Sequence, residues 1–377
     1  MQAFGMLSAF MEAFADLPEP RVHENKIRYK LLDIVVMATC AVISGADDWD
    51  TIADYARGRR EWFEAFLELP NGVPSHDTFS RVFSMIDPDA FGACFLSWVS
   101  SVAKHSDGRV IPIDGKTLRR SHDAGEGALH VVSAFCTENA LVLGQLATEE
   151  KSNEITAIPK LLDVLDVEGA IVTIDAMGAQ RDIVDKICDK GADYVIGLKT
   201  NQPKLHEAVE RHFEGVHLDT EATEALDVHV IRDKGHGRDR VQGTFVTSDL
   251  SGISMKEEWT GLRSIAMVIT EQLNKDGRLT TEKRYYISGL GSNAEETAHA
   301  VRSHWGIENK LHWVLDVAFR EDDSRIRRDN GARNLAVIRH ATLNILRQDT
   351  TTKLGIKNKR KKCGYDYNYL PSLLFNR

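Results

Sequence analysis

The chain has 377 residues, of which 42% are hydrophobic and 27% charged, and its formal net charge is −9. Because a typical domain has ~100–200 residues, two or three folded units of ordinary globular composition are expected. The acidic balance excludes a simple basic coat for nucleic acid, although local basic clusters are still compatible with an enzyme that holds DNA.

Cysteine usage and hydropathy indicate a cytoplasmic protein. The five cysteines are scattered and odd in number, which disfavours a disulfide framework and fits a reducing compartment. The first residues include Glu12 and Asp16 and lack a basic start, so we expect no signal peptide. The longest uncharged apolar run, 34–46, is shorter than the ~20 residues that cross a bilayer, so we expect no membrane partner.

Residues 1–100 are predicted to form a mostly helical N-terminal domain. The segment Leu31–Ser44 is predicted to be a buried helix, whereas Trp49–Phe66 is amphipathic. After a break that contains Pro and Gly, Ser75 is placed to cap a further short helix. These helices fit a helix-turn-helix in which Arg81 faces DNA, but a plain helical bundle explains the same residues and is favoured.

From residue 109 onward, short apolar runs predict β-strands. The expected order is strand, strand, strand, helix, strand, helix, strand, at 109–113, 129–135, 141–148, 154–165, 170–174, 180–190 and 194–198. Three antiparallel strands followed by parallel crossovers are typical of a ribonuclease H-like core. The predicted fold class is therefore α/β, with a mixed sheet of this kind.

The later part of the chain interrupts this alternation. Strands are predicted at 228–232, 243–247, 264–270 and 283–288, and helices at 294–320 and 333–347. After the N-terminal domain we therefore expect a core of residues 105–200 and 291–350, a β-rich insertion at 201–290 and a basic C-terminal tail at 351–377. The tail contains the basic run Lys353–Lys362, interpreted as a flexible phosphate-binding arm, with a merely solubilising tail as the alternative.

Three acidic residues are the candidate catalytic and metal-binding group. Asp114 and Asp175 each follow an apolar strand, and ligands of open α/β sheets gather beyond the carboxyl ends of strands. Glu308 lies at the border of the apolar stripe of a predicted helix, with His304 and His312 one turn to either side. Phosphodiester cleavage by two ions ~3.5–4 Å apart needs oxygen ligands of this kind, so Mg²⁺ is expected, with Mn²⁺ as a substitute.

Each of these residues also has an ordinary structural explanation. An Asp after a strand is commonly a turn or helix-cap residue, and a Glu on a helix is commonly solvated. His304, Glu308 and His312 are conceivable zinc ligands, but their spacing matches no zinc motif and cysteine partners are absent. The catalytic interpretation depends on all three acids being expected at one edge of the sheet.

Longer motifs point to a family. They are the segments 17–21 (LPEPR), 74–82 (PSHDTFSRV), 113–116 (IDGK), 173–177 (TIDAM), 198–202 (LKTNQ), 235–238 (GHGR) and 304–316 (HWGIENKLHWVLD). With them the chain resembles, over nearly its whole length, the DDE transposases of bacterial insertion sequences, specifically the H-repeat-associated family. The resemblance implies a DDE triad of Asp114, Asp175 and Glu308, a ribonuclease H-like fold with a β insertion, and an N-terminal domain for DNA-end binding or assembly.

One part of the pattern of better-known relatives is missing. A Tyr, an Arg and a Lys flank the glutamate in those proteins, whereas Val301, His304 and Leu315 stand at these places here. The residues that are candidates to supply the positive charge instead are Arg302, Lys310 and His312.

The expected partner is double-stranded DNA of the nucleoid, both transposon ends and target. The residues predicted to contact it are Lys116, Arg119, Lys199, Asn201, Arg238, Arg302 and Arg81. Surface ion pairing is the alternative role for the charged members of this set. A homodimer is expected because two ends must be brought together.

The expected reaction is in-line displacement at phosphorus. Water attacks at the transposon end and frees a 3′-hydroxyl, which then attacks target DNA without a covalent enzyme intermediate. Two other functions remain compatible with the sequence: a catalytically inactive, domesticated DNA-binding relative, and a stand-alone ribonuclease H-like nuclease that cuts without joining.

Overall fold

The computed structural model describes residues 5–23, 27–102, 109–121, 128–148, 154–235, 238–274 and 276–375. At residues 235 and 238 it describes the backbone alone. Over these stretches the protein is a mixed α/β structure, with a helical N-terminal region and one large mixed sheet.

The N-terminal region consists of helices. They are α1 (Met6–Phe14), α2 (Leu31–Ile43), α3 (Trp49–Gly58), α4 (Arg60–Glu64), α5 (His76–Met85) and α6 (Pro88–Val102). Helix α2 is buried almost completely because nearly all its side chains are apolar, and the buried Asp33 carboxylate accepts from the Leu69 amide. The Ser75 hydroxyl caps α5 by accepting from the Thr78 amide, as predicted. The segment 49–66 is two helices, and not one as predicted, because the chain leaves helical geometry at Arg59, directly after Gly58.

Helices α5 and α6 meet at an angle of 92° and pack into the core. Their large apolar side chains are fully buried, among them Phe79, Phe83, Phe91 and Trp98. Taken together, α5 and α6 have the length and apolar content of a bilayer-spanning segment. No single helix in the described stretches is long and apolar enough to cross a bilayer.

The described strands form one continuous sheet. They are β1 (Val110–Thr117), β2 (His130–Cys136), β3 (Leu141–Thr148), β4 (Ile171–Ile174), β5 (Asp193–Leu198), β6 (Asp227–Gly235), β7 (Arg238–Thr247), β8 (Ser264–Leu273) and β9 (Leu279–Ser288). Their order across the sheet is β3-β2-β1-β4-β5-β9-β8-β7-β6. Strand β4 runs parallel to both β1 and β5, and all other neighbours are antiparallel.

Helices cover both faces of the parallel strands. Helices α7 (Glu154–Val164) and α8 (Arg181–Asp189) pack on one face, where Ile111 and Val172 join the main hydrophobic core. Helix α10 (Ala294–Ile307) packs on the other face, where Val110, Ile171 and Val301 belong to a second cluster. The predicted order of strands and helices between 109 and 198 is thereby confirmed. Continuous apolar strands are explained by burial on both faces.

The strands β6 to β9 lie where the β-rich segment 201–290 was predicted. They do not form a separate sheet, because β9 pairs with β5 and so extends the sheet of the parallel strands. This segment also contains a helix that we did not predict, α9 (Pro203–His212). Pro203 suits a first helical turn, but only Leu205 and Val209 are buried, too few to give a clear helical period in the sequence.

A single helix was predicted at 294–320, and the structure divides this segment. After α10 the residues Glu308–His312 form a π-helical turn, and α11 (Trp313–Phe319) follows. Helix α12 (Gly331–Gln348) is buried along most of its length and packs against α2, α5, α6 and β3. Helix α12 is therefore held between the sheet and the N-terminal helices.

The interpretation of Lys353–Lys362 as a flexible arm is wrong. Helices α13 (Ile356–Tyr365) and α14 (Tyr369–Phe375) occupy this region. The buried Arg360 guanidinium donates to the carbonyl oxygens of Val42, Ala46 and Ala318. These carbonyls lie at or just beyond the ends of α2 and α11, where helices leave acceptors unpaired, so a cation there holds the segment in place.

Candidate active site

Asp114 and Asp175 lie side by side at the edge of the parallel strands. The parallel pairing of β1 with β4 ends at Ile113 and Ile174, one residue before each aspartate. Asp175 directly follows β4, as predicted. Strand β1 is longer than predicted and continues through Thr117, because it remains paired with the antiparallel β2. Asp114 therefore lies inside β1, one residue beyond its last parallel pair with β4.

Strand alternation turns both aspartates toward α10. Val110 and Ile171 contribute to the cluster under α10, and every second residue of a strand points to the same face. Asp114 and Asp175 therefore share that face. A contact at the same level supports this orientation, since the Thr173 hydroxyl lies 3.2 Å from Nδ1 of His304, a residue of α10.

Position 115, between Asp114 and Lys116, has no room for a side chain on the face of β1 opposite to α10. A Cβ atom at Gly115 would collide with the side chains of His130 and Glu154. These two groups are buried and hydrogen-bonded to each other. In the Asp-Gly-Lys sequence, Gly115 therefore leaves room for the buried pair on one face of β1, and the charged side chains of Asp114 and Lys116 lie on the other face, toward α10.

Glu308 and His312 complete a compact group with Asp114. Their potential ligand atoms all lie within 4.8 Å of one another. Nδ1 of His312 is 3.4 Å from Oε2 of Glu308 and 3.7 Å from Oδ2 of Asp114. Glu308 remains 60% exposed, whereas the His312 side chain is only 5% exposed. Both residues belong to the π-helical turn, a feature often found at functional sites.

Among the described residues, Asp175 is not part of the group whose potential ligand atoms all lie within 4.8 Å of one another. Its charge nevertheless acts on Asp114. Its carboxylate accepts from the Met177 amide at 2.9 Å and caps the 3-10 turn Ala176–Gly178. The Asn201 side-chain amide donates to the Ala176 carbonyl at 2.6 Å and holds the same turn. The ordinary role of an Asp as a cap therefore applies at Asp175, alongside its place at the sheet edge.

The environment sets the ionisation of these groups. Burial raises the pKa of Asp114 to about 6, and the charges of Glu308 and Asp175 add to the shift, whereas His312 opposes it. The hydrogen bond with His312 lowers the pKa of Glu308. Burial lowers the pKa of the His304 ring. The ionised form of Asp114 is thus unfavourable at this edge unless a cation lies beside it.

Lys116 is neutralised by three carboxylates, which the sequence did not predict. Its Nζ lies 2.7 Å from Asp316, 3.0 Å from Asp322 and 3.3 Å from Glu321, and its side chain is 11% exposed. Burial opposes protonation, yet these carboxylates together raise the pKa of Lys116. Its ammonium joins β1 to α11 and the turn that follows, so it does not present a free charge to DNA phosphate.

The other residues predicted to contact DNA lie on several different elements. Arg119 is 81% exposed and has Nε 3.3 Å from Asp322, and Arg302 pairs with Asp233 at 2.8 Å. Lys199 and Arg81 are exposed. Arg238 begins β7 by its backbone, and its side chain lies outside the described part of the chain.

A cavity of about 240 Å³ lies beside Asp175. Its lining includes Lys199, Arg284, Trp305 and Asp175 itself. The Arg284 guanidinium lies 4.1 Å from the ring centroid of Trp305, a distance typical of a cation–π contact. Cationic and aromatic side chains thus border the acidic edge.

The donor set fits a hard or borderline divalent ion. Asp114 and Glu308 offer carboxylate oxygens within 4.8 Å, and Asp175 is one residue beyond the last β4 pair on the adjacent strand. The pKa of Asp114 is raised partly by the neighbouring carboxylates, a repulsion that a bound cation relieves. The closest group contains no cysteine, which is unlike most structural zinc sites.

Comparisons with known proteins agree with the motifs. The family model described as "Transposase DDE domain" matches residues 105–345, and that described as "DDE_Tnp_1-associated" matches residues 11–99. "H repeat-associated putative transposase YhhI" of Escherichia coli K12 is 42% identical over 378 residues, 98% of each chain. "Putative transposase YncI" of Escherichia coli O157:H7 is 42% identical over 373 residues, 98% of this chain and 95% of the relative. The chain therefore belongs to the DDE transposase family, within the group of H repeat-associated transposases.

Proposed function

We propose that this chain cuts DNA at the ends of an insertion sequence and joins the freed 3′-hydroxyl to target DNA. One observation carries the proposal: in a chain of the DDE transposase family, Asp114, Asp175 and Glu308 converge on one sheet edge. Asp114 and Asp175 follow the last pair of two parallel strands, and Glu308 has an oxygen within 4.8 Å of one from Asp114. Carboxylates in this arrangement are suited to hold divalent ions.

The three acids act as ligands and not as nucleophiles. Bound Mg²⁺ or Mn²⁺ supplies Lewis acidity for the attacking and leaving oxygens. In the first step a water oxygen bonds to phosphorus and the bond to the 3′-oxygen breaks. In the second step that 3′-hydroxyl attacks a target phosphate and displaces another 3′-oxygen. Lys116 holds β1 to the turn after α11, so it positions Asp114 relative to Glu308.

The core is proposed to be ribonuclease H-like. The support is the partial strand order β3-β2-β1-β4-β5, in which an antiparallel set of three is followed by parallel β4 and β5. The proposed domains are an N-terminal region of residues 1–100, a core of 105–200 and 291–350, a β-rich extension of 201–290 and a C-terminal segment of 351–377. In this division the extension adds strands to the edge of the core sheet.

DNA is proposed to lie along the exposed cations near the acidic edge. Lys199 borders the cavity beside Asp175, and Arg119 follows Lys116 at the end of β1. Asn201 supports the turn after β4 and is a positioning residue for Asp175. A homodimer on bacterial chromosomal DNA in the cytoplasm is the proposed working form, because one protomer binds each end.

A strand-transfer assay with Mg²⁺ and DNA from the flanks of the gene tests this proposal. Cutting followed by joining is expected, whereas cutting alone supports a nuclease and binding alone supports an inactive DNA-binding relative. The variant Asp175→Asn should bind the DNA but lose both steps, because its amide is a poor ligand for Mg²⁺. Full cleavage by this variant would refute the assignment of Asp175.

A further inference from the structure

We propose that His312 is a nitrogen ligand of the divalent ion held by Asp114 and Glu308. This inference rests on the proposed function, but it concerns a residue outside the three acids. In this proposal one ion is bound by two carboxylates and one imidazole. The consequence is a preference for Mn²⁺ over Mg²⁺.

The position of the ring supports ligation. Nδ1 of His312 faces both acids, at 3.4 Å from Glu308 and 3.7 Å from Asp114. Ligands bound ~2.1–2.2 Å from one ion lie roughly 3–4 Å apart, so a single ion accommodates all three atoms with little movement. The hydrogen bond between His312 and Glu308 already aligns the ring with a carboxylate of the candidate site.

Burial distinguishes His312 from an ordinary surface histidine. Its side chain is 5% exposed, and Nε2 is buried with no hydrogen-bond partner among the described atoms. Within the described part of the chain, Asp114 and Glu308 both lie on the side of Nδ1. The ring is thus fixed with one nitrogen directed at the candidate ion position.

His304 provides a matched comparison. It lies on the same helical segment, and burial lowers the pKa of its ring. Its Nδ1 is 3.2 Å from the Thr173 hydroxyl, and the ring is not part of the compact group of potential ligands. His304 is therefore expected to serve as a structural neighbour and His312 as a ligand.

The nitrogen ligand predicts ion selectivity. Mg²⁺ prefers oxygen ligands and loses its water reluctantly, whereas divalent ions of the first transition row, Mn²⁺ included, accept an imidazole nitrogen more readily than Mg²⁺ does. Asp114 and Asp175 offer oxygen alone. The site formed by Asp114, Glu308 and His312 should therefore bind Mn²⁺ more tightly than Mg²⁺, and replacement of His312 should reduce this preference.

Pulsed electron paramagnetic resonance of the full chain with Mn²⁺ tests the inference without DNA. We expect hyperfine coupling from a histidine nitrogen in the wild-type spectrum, its loss in His312→Gln, and its retention in His304→Gln. In titrations, His312→Gln should weaken Mn²⁺ binding by at least about tenfold, the lower end of the loss seen when even an outer-shell partner of a metal site is removed, and should weaken Mg²⁺ binding less.

Two outcomes overturn the inference. One is Mn²⁺ binding by the wild-type chain without nitrogen coupling, a result that does not depend on the folding of any variant. The other is coupling that survives in His312→Gln and disappears in His304→Gln. In either case the proposed function stands if Asp175→Asn still abolishes cutting and joining, so the two failures are distinguishable.

Discussion

At the scale of single residues, the ionised carboxylate of Asp114 lowers the folding stability of the protein. Its pKa is raised from 3.8 to about 6, first by burial. Between these pH values the folded protein holds a proton that the unfolded chain releases, so folding stability decreases as pH rises through this window. The stabilising contribution is fully present below the unfolded value and is lost above about pH 6.

The variant Asp114→Asn is therefore expected to be more stable than the wild type at pH 7 in the absence of divalent ions. The gain should be on the order of 1–2 kcal/mol, because the amide removes a buried, repelled charge. Urea unfolding in chelator at pH 7 measures this difference, which should disappear near pH 3.5. A less stable variant at pH 7 would contradict the raised pKa of Asp114.

Lys116 and Arg119 form a matched pair for a second test. Lys116→Met leaves three carboxylates without their shared cation, and we expect a loss of about 3–5 kcal/mol in stability. Arg119→Met, at an exposed position of the same segment, should stay within about 0.5 kcal/mol of the wild type. Denaturant unfolding of both variants gives the comparison, and equal losses would remove the special role of Lys116.

The sequence predicts which elements carry the acidic residues better than it predicts which side chains surround them. Asp114 and Asp175 each follow an apolar run, a pattern visible in the chain itself. The inward position of His312 was not visible, because it depends on a π-helical turn that the periodicity of an α-helix does not reveal. The partners of Lys116 were also missed, since they lie some 200 residues away and meet it only through tertiary packing.

At the scale of elements, the C-terminal helix α13 illustrates the limit of charge patterns. The run KNKRKK has the composition of a solvated arm, yet Lys359 and Arg360 are buried. Lys359 contacts Asp349 and the carbonyl of Leu346, and Arg360 contacts Asp47 and the ends of α2 and α11. These acceptors are brought together by the fold, so composition alone could not identify the two buried cations.

Arg360→Met tests this interpretation of α13. The substitution leaves three carbonyls and Asp47 without their donor, so stability should fall by roughly 3 kcal/mol or more. Lys361→Met is the control, because Lys361 is exposed on the same helix and its loss should change stability by less than about 0.5 kcal/mol. Thermal and urea unfolding should separate the two variants clearly, and indistinguishable curves would restore the interpretation of a solvated arm.

At the scale of the whole molecule, one sheet connects the acidic edge to the extension. The strands of 109–198 and their order were predictable from alternation and apolar runs, because each strand is short, buried and bounded by turns. The pairing of β9 with β5 was not predictable, since it joins segments about ninety residues apart. The pairing also sets β9 beside the cavity, where Arg284 of β9 and Lys199 after β5 are neighbours in the lining.

Charge near this cavity should contribute to DNA affinity. Lys199→Gln removes one exposed cation, so binding should weaken and the slope of log affinity against log salt should decrease by about 0.9. Lys256→Gln, an exposed lysine outside the cavity lining, is the control and should leave the slope nearly unchanged. Fluorescence anisotropy with double-stranded DNA at several salt concentrations measures both, and an unchanged slope for Lys199→Gln would exclude a phosphate contact.

The convergence of three acids on divalent ions is tested most directly by anomalous diffraction from crystals of the full chain grown with Mn²⁺. Anomalous density is expected within coordination distance, ~2.0–2.3 Å, of carboxylate oxygens from Asp114, Asp175 and Glu308. The prediction is at least one peak that contacts Asp114 together with a second member of the triad. Ordered Mn²⁺ bound elsewhere, with no density at these three carboxylates, would contradict it.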